Sequence, residues 1–81
     1  MKIRIRLMGH DLPVVGYSPL QLEQGSVVKN ALNTYLLEHE IGIGIKELSK
    51  SQFIVNKKHC SINEELHDDD ELTVIRYLGG G

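Results

Sequence analysis

Lys-Ile-Arg-Ile-Arg-Leu, residues 2–7, alternates charged and apolar side chains with a strict period of two. Successive side chains of an extended strand point to opposite faces, so the aliphatic residues share one face and the cations share the other. The stretch therefore predicts a half-buried strand. A protein built on such a strand has to cover its apolar face with another element.

A second strand is predicted after a loop. The segment from residue 9 to residue 16 contains Pro13 between two glycines, which indicates a loop or turn. Leu20 and Leu22 then alternate with polar residues, so both should point inward. Pairing of the two strands would bring Glu23 toward the arginine face and give a modest cross-strand attraction.

The hydrophobic period changes to helical spacing after Gly25, which predicts one amphipathic helix. Ser26 is a suitable N-cap, because its hydroxyl can accept a hydrogen bond from a backbone N–H of the first turn. His39 and Gly42 are ordinary residues for a helix end. The apolar stripe consists of Val27, Val28, Ala31, Leu32, Tyr35 and Leu36.

The second half of the chain predicts short elements. Residues 41–51 indicate a loop or a short helical turn around Ile45 to Leu48. A strand over 52–56 is followed by a turn at 57–59 and a brief returning strand at 60–62. Leu66 is an apolar anchor, and the acidic run 68–71 indicates a solvated turn. Residues 72–78 favour a last strand, since Thr, Val, Ile and Tyr suit extended structure.

This order of elements predicts an α+β roll, with one main helix across one face of a mixed sheet of about four to five strands. The 81 residues allow one small domain. A net charge of −2 argues against nucleic acid as a partner. No apolar run approaches the roughly 18 residues of a membrane span, so no membrane partner is expected.

The cysteine and histidines predict no metal site. Cys60 is a single cysteine without an internal disulfide partner, which is typical of a cytoplasmic protein. We interpret it as a small packing residue. The four histidines are His10, His39, His59 and His67, and their scattered spacing does not match a set of metal ligands.

The chain ends in three glycines, Gly79, Gly80 and Gly81. Glycine loses the most conformational entropy on ordering, so packing gives no reason for such a run. Its slender backbone can enter a narrow channel, and three residues reach about 10–14 Å. We therefore expect a domain over 1–78 and a flexible tail over 79–81. The alternative is a frayed end or an incidental addition.

The motifs of the second half resemble those of the β-grasp sulfur carriers, the family of the small subunit of molybdopterin synthase and the sulfur carrier of thiamine thiazole synthesis. The strand Phe53-Ile54-Val55-Asn56, the anchor Leu66, the acidic turn Asp68-Asp69-Asp70-Glu71, the strand Leu72-Thr73-Val74-Ile75 and a terminal diglycine carry the resemblance. Strand, strand and helix also open that fold. Three glycines stand where the family usually has two. The family spacing from Asp70 places the diglycine at Gly80-Gly81 and Gly79 on the small residue before it.

The resemblance implies a β-grasp carrier that is a co-substrate rather than an enzyme, although such a chain can also be the small subunit of a synthase. A partner adenylating enzyme would use ATP to convert the Gly81 carboxylate, with Gly80 beside it, to an acyl-adenylate. A sulfur donor would then replace AMP and leave a thiocarboxylate. A sulfur-accepting synthase subunit would receive the sulfur in molybdopterin or thiamine thiazole biosynthesis. The carrier itself would bind no cofactor.

A docking patch is predicted beside the tail. Ile75, Arg76, Tyr77 and Leu78 are too close together for all of them to be buried, and with Gly79 they suit a binding surface. The alternative is that they close one end of the core. Two other functions also remain open: a ubiquitin-like modifier conjugated to lysine through the terminal glycine, and a non-reactive β-grasp binding module.

Overall fold

The computed structural model of the protein describes residues 1–9 and 16–76. Its chain runs strand, strand, helix, short helix and three further strands, as the sequence predicts. The short helix confirms the helical turn expected around Ile45. The elements are β1 Lys2–Met8, β2 Ser18–Gln21, α1 Val28–Glu38, α2 Ile45–Leu48, β3 Gln52–Val55, β4 Lys58–Cys60 and β5 Glu71–Ile75.

The described strands form one mixed sheet in the order β2-β1-β5-β3-β4. β1 and β5 are parallel neighbours, whereas the other pairs are antiparallel. The last strand therefore lies in the middle of the sheet, between the first strand and β3. This arrangement confirms the predicted α+β class with a mixed sheet.

One continuous core lies between the sheet and α1. The apolar face of β1 is buried, and so are Leu20 and Leu22, as the alternation predicts. The helix stripe is buried too, except that Val27 is half-buried. Leu66 is 1% exposed and closes the core as the predicted anchor. The strand and helix residues of this core are Ile3, Ile5, Leu7, Leu20, Val28, Ala31, Leu32, Tyr35, Leu36, Leu48, Phe53, Leu72 and Val74.

The start of α1 differs from the prediction. Ser26 is not the N-cap; Val27 occupies that position, and the Asn30 side chain accepts a hydrogen bond from its N–H at 2.8 Å. The backbone N–H groups of Val28 and Lys29 donate to carbonyls of residues 64 and 62, each at 2.9 Å. The segment over 62–64 therefore accepts hydrogen bonds from N–H groups that have no partner inside the helix. A capping side chain usually has this role.

The end of α1 confirms His39 as a helix-end residue, since it is the C-cap, but differs from the prediction at Gly42. Glu40, rather than Gly42, adopts the left-handed conformation that closes the helix, with φ of 52°. The N–H groups of Ile41 and Glu40 donate to the carbonyls of Leu36 and Leu37 at 3.1 and 3.4 Å. These two bonds form a Schellman motif, which satisfies carbonyls at the last turn.

The β3–β4 hairpin turns one residue earlier than predicted. Asn56 and Lys57 form the turn, with φ of 50° and 71°, and Val55 pairs with Lys58. Two consecutive residues with positive φ define the type I′ turn that matches the twist of a two-residue hairpin. The predicted turn and returning strand are therefore confirmed, but their bounds of 57–59 and 60–62 were wrong, because β4 begins at Lys58 and ends at Cys60.

Candidate docking face at the end of the central strand

β5 pairs with β1 along its whole length, including its C-terminal end. Met8 pairs with Ile75, and the N–H of Arg76 donates to the carbonyl of Met8 at 2.7 Å. The strand also pairs with β3, where Gln52 is opposite Ile75. Arg76, the last described residue, thus directly follows a strand that is hydrogen-bonded to neighbouring strands on both edges.

Arg76 connects this strand end to α2. Its guanidinium Nη2 donates to the Glu47 carboxylate at 3.0 Å, and its side chain is only 14% exposed. An open cleft of ≈ 540 Å³ lies beside this ion pair and is lined by Lys46, Glu47, Ser49, Lys50 and Arg76. Arg76 therefore ties the end of β5 to α2.

The predicted site residues divide into two groups. The structure places Ile75 and Arg76 together at the end of β5, where both are half-buried. The side chain of Arg76 is largely covered and paired, so it does not supply the exposed patch by itself. Tyr77, Leu78, Gly79, Gly80 and Gly81 lie outside the described residues, and their roles stay predictions.

The face of the sheet opposite α1, here called the outer face, has a polar cluster at its centre. Arg6 stacks on the ring of Tyr17, with Cζ 4.5 Å from the ring centroid. Its Nη2 donates to the Tyr17 hydroxyl at 3.5 Å, and that hydroxyl is 2.6 Å from Oγ1 of Thr73. The outer face consists of Lys2, Arg4, Arg6, Met8, Pro19, Gln21, Gln52, Ile54, His59, Glu71, Thr73 and Ile75.

Glu23 does not reach the arginine face of β1, contrary to the prediction. The register sets Gln21 opposite Lys2, so Glu23 lies beyond the paired part of β2 and β1. Arg4 is instead opposite Glu71 on β5, and their side chains form an ion pair at 3.3 Å. The prediction was wrong because the parallel pairing of β1 with β5 could not be read from local sequence.

Comparison with known proteins supports a specific fold. The sequence matches no protein-family model and no curated protein. Among solved structures, SAMP1 from Haloferax volcanii, a ubiquitin-like small archaeal modifier, superposes with a TM-score of 0.73. The match covers 100% of both chains at 17% sequence identity. This chain has the β-grasp fold. The superposition confirms the predicted ubiquitin-like fold.

The predicted solvated turn is confirmed at Asp68 and Asp69, which are exposed, but it is wrong for the next aspartate, which is a structural junction. Asp70 is 8% exposed. Its two carboxylate oxygens accept hydrogen bonds from Nδ2 of Asn56 and from the N–H of His67, both at 2.8 Å. Its backbone carbonyl accepts from the N–H of Arg4 at 2.9 Å. The carboxylate therefore ties the hairpin turn to the start of β5.

Sequence reasoning missed Tyr17 and Asn56. Tyr17 comes after the segment that was predicted to be a loop and carries no periodic signal, so nothing in the sequence indicated that it would support Arg6. Asn56 in a hairpin turn was a possible signal, because asparagine tolerates positive φ. Its side chain also accepts from the N–H of Glu71 at 3.0 Å, which depends on a contact 15 residues along the chain.

Cys60 lies on the core side of β4, where it is half-buried and packs against the core. Burial, and next the negative charge of Glu64, raise the pKa of its thiol. The packing role predicted for it is therefore consistent with the β-grasp core. In the described part of the chain, no group of three or more His, Cys, Asp or Glu residues could hold a metal ion. None of the described helices is long and apolar enough to span a membrane.

Proposed function

We propose that this protein is a sulfur carrier whose terminal glycine is activated by a partner enzyme. The observation that carries the proposal is the position of β5, which lies between β1 and β3 in the sheet and ends four residues before the first glycine of the C-terminal run. Arg76 anchors the end of that strand to α2 at 3.0 Å. A strand end that is paired on both edges, with three residues without side chains at the end of the sequence, suits delivery of a carboxylate into another protein's active site.

The chemistry needs no side chain of the carrier to form or break a bond. A carboxylate oxygen of Gly81 would attack the α-phosphate of ATP and release pyrophosphate. A donor at the oxidation level of hydrosulfide would then attack the acyl-adenylate carbonyl, and AMP would leave with the bonding electron pair. The product is a thiocarboxylate, which a synthase subunit would consume in molybdopterin or thiamine thiazole biosynthesis. The adenylating enzyme holds the ATP, and the proposal places both proteins in the cytoplasm.

Intact mass spectrometry of the protein purified from its native host tests this proposal. We expect a species in which sulfur replaces one terminal oxygen, and its loss after deletion of Gly81. Addition of one residue after Gly81 should also abolish it, because the extension converts the reactive carboxylate to an amide. The matched control adds the same residue before Met1. A native mass without sulfur under every growth condition would reject the sulfur-carrier assignment.

A second candidate function is a ubiquitin-like modifier, which the structural likeness to SAMP1 favours. The activation step would be the same, but the acyl group would end in an amide bond to a lysine of another protein. The same mass measurement separates the candidates, since a modifier appears attached to target proteins. Absence of both forms, with function retained after removal of Gly80 and Gly81, would indicate a non-reactive binding module.

A further inference from the structure

Arg6 differs from the other two arginines of the chain. Arg4 pairs with Glu71 at 3.3 Å and Arg76 pairs with Glu47 at 3.0 Å. Within residues 1–9 and 16–76, Arg6 has no carboxylate partner, and its buried Nε has no hydrogen-bond acceptor. Half-buried arginines normally have their donors satisfied, so an incompletely paired guanidinium requires an explanation.

The guanidinium is held in place without being neutralised. It lies 4.5 Å from the centroid of the Tyr17 ring, in cation–π contact. Tyr17 is in turn fixed by the 2.6 Å hydrogen bond between its hydroxyl and Thr73. A planar cation that is already oriented loses less conformational entropy on binding a carboxylate than a free side chain does.

Apolar side chains lie next to this cation on the outer face. Thr73 of β5 is opposite Arg6 of β1 on one side and opposite Ile54 of β3 on the other. One step along the strands, Met8 is opposite Ile75. Met8 is 37% exposed, and the two isoleucines are half-buried. An oriented arginine among partly exposed apolar side chains has the composition of an interface centre.

Charge favours an acidic protein surface as the occupant. The chain carries a net charge of −2, yet three of the four outer-face residues of β1 are cations, Lys2, Arg4 and Arg6. Glu71 is the single acid among the described strand residues of that face, and it is already paired with Arg4. A nucleic acid would require several cations along its phosphates, whereas here one arginine lacks a carboxylate partner within the described residues.

We propose that Arg6 is the docking anchor for a protein partner that presents a carboxylate beside an apolar side chain. The carboxylate would pair with the guanidinium above the Tyr17 ring, and the apolar group would contact Met8, Ile54 and Ile75. Identification of this partner as the adenylating enzyme rests on the proposed function. Arg6 would act by positioning the carrier and would not touch the reacting atoms.

A nuclear magnetic resonance titration tests the anchor without the enzyme. The Nε–Hε signals of the arginines are assigned with Arg4→Gln, Arg6→Gln and Arg76→Gln, and the wild-type protein is titrated with N-acetyl-Asp-Leu-amide. We expect a saturable shift of the Arg6 signal, while that of Arg4 stays in place. Equal shifts of all three signals, or none, would overturn the proposal. Preference for a single-stranded oligodeoxynucleotide over the peptide would also overturn it.

Steady-state adenylation kinetics test the identity of the partner. With the host's adenylating enzyme, Arg6→Gln should raise the KM for the carrier about tenfold and leave kcat within about twofold, as expected for an interfacial arginine. Arg4→Gln is the matched control, because it removes the same charge from the same face two residues away. Tyr17→Leu removes the platform and should raise KM in the same direction. Thermal unfolding verifies that each variant is folded.

The two experiments separate failure of this inference from failure of the proposed function. If the enzyme adenylates the wild-type protein and Arg6→Gln equally well, docking through Arg6 is refuted and the carrier function stands. If no adenylating enzyme accepts the wild-type protein, the carrier function fails. The peptide titration then decides by itself whether Arg6 binds a carboxylate.

Discussion

Replacement of Asp70 by alanine gives the sharpest test of the structural reasoning, because a solvated turn and a structural junction predict different costs. Asp70→Ala removes the acceptors for Nδ2 of Asn56 and for the N–H of His67, each bonded at 2.8 Å. Asp68→Ala is the matched control. It removes the same charge two residues away but only one exposed hydrogen bond, from the N–H of Lys2.

The magnitude follows from these contacts. A hydrogen bond to a charged group contributes about 1.5–3 kcal/mol when its partner would otherwise be left without an acceptor. The Asp70 carboxylate is nearly buried, whereas the residues that donate to it are exposed, so water recovers part of the loss. We therefore expect Asp70→Ala to cost about 2–4 kcal/mol. That is a large share of the roughly 4–12 kcal/mol typical of a domain of this size.

Urea unfolding followed by circular dichroism measures both variants under one set of conditions. For a small domain each kcal/mol also lowers Tm by roughly 4–8 °C, so a thermal scan provides an independent measure. We expect Asp68→Ala to lose less than half as much stability as Asp70→Ala. Equal losses in the two variants would refute the junction and restore the solvated-turn interpretation.

Three further predictions concern single side chains. Burial raises the pKa of the Tyr35 hydroxyl, so stability should fall as the pH rises above about 10, where the unfolded chain releases the proton first. The raised pKa of Cys60 should make its alkylation at pH 8 slower in the folded protein than in the urea-unfolded chain. Lys57→Gly should stabilise the hairpin by about 0.5–1 kcal/mol, because its φ of 71° strains a residue with a side chain.

Each of these predictions has a direct control. Tyr35→Phe should flatten the loss of stability in alkaline urea titrations, and an unchanged slope would assign that loss to another group. Alkylation of Cys60 at equal rates in folded and unfolded protein, followed by mass spectrometry, would contradict the effect of burial. Lys58→Gly places the same substitution within β4, where it should destabilise. Stabilisation by both glycines would contradict the turn geometry.

The sequence by itself determined the elements and the main core. Strict alternation in β1 and the helical stripe of α1 are local patterns, and burial of Ile5 and Leu32 at 0% exposure follows from them. The strands over 53–56 and 72–75, the anchor Leu66, the acidic turn and the terminal glycines likewise carried the resemblance to β-grasp proteins. These features could be predicted from the sequence because each depends only on residues that are close together along the chain.

Only the tertiary structure decided how the polar groups are used. The first backbone N–H groups of α1 donate to the carbonyls of residues 62 and 64, and these hydrogen bonds take the place of the expected Ser26 cap. The parallel pairing of β1 with β5 directed Arg4 to Glu71 and left Arg6 on the ring of Tyr17. Side-chain periodicity specifies which face is apolar, but not which distant backbone or charge a polar group will meet. That choice depends on long-range register, and it separates Arg4 and Arg76, which pair with carboxylates, from Arg6, which stacks on Tyr17.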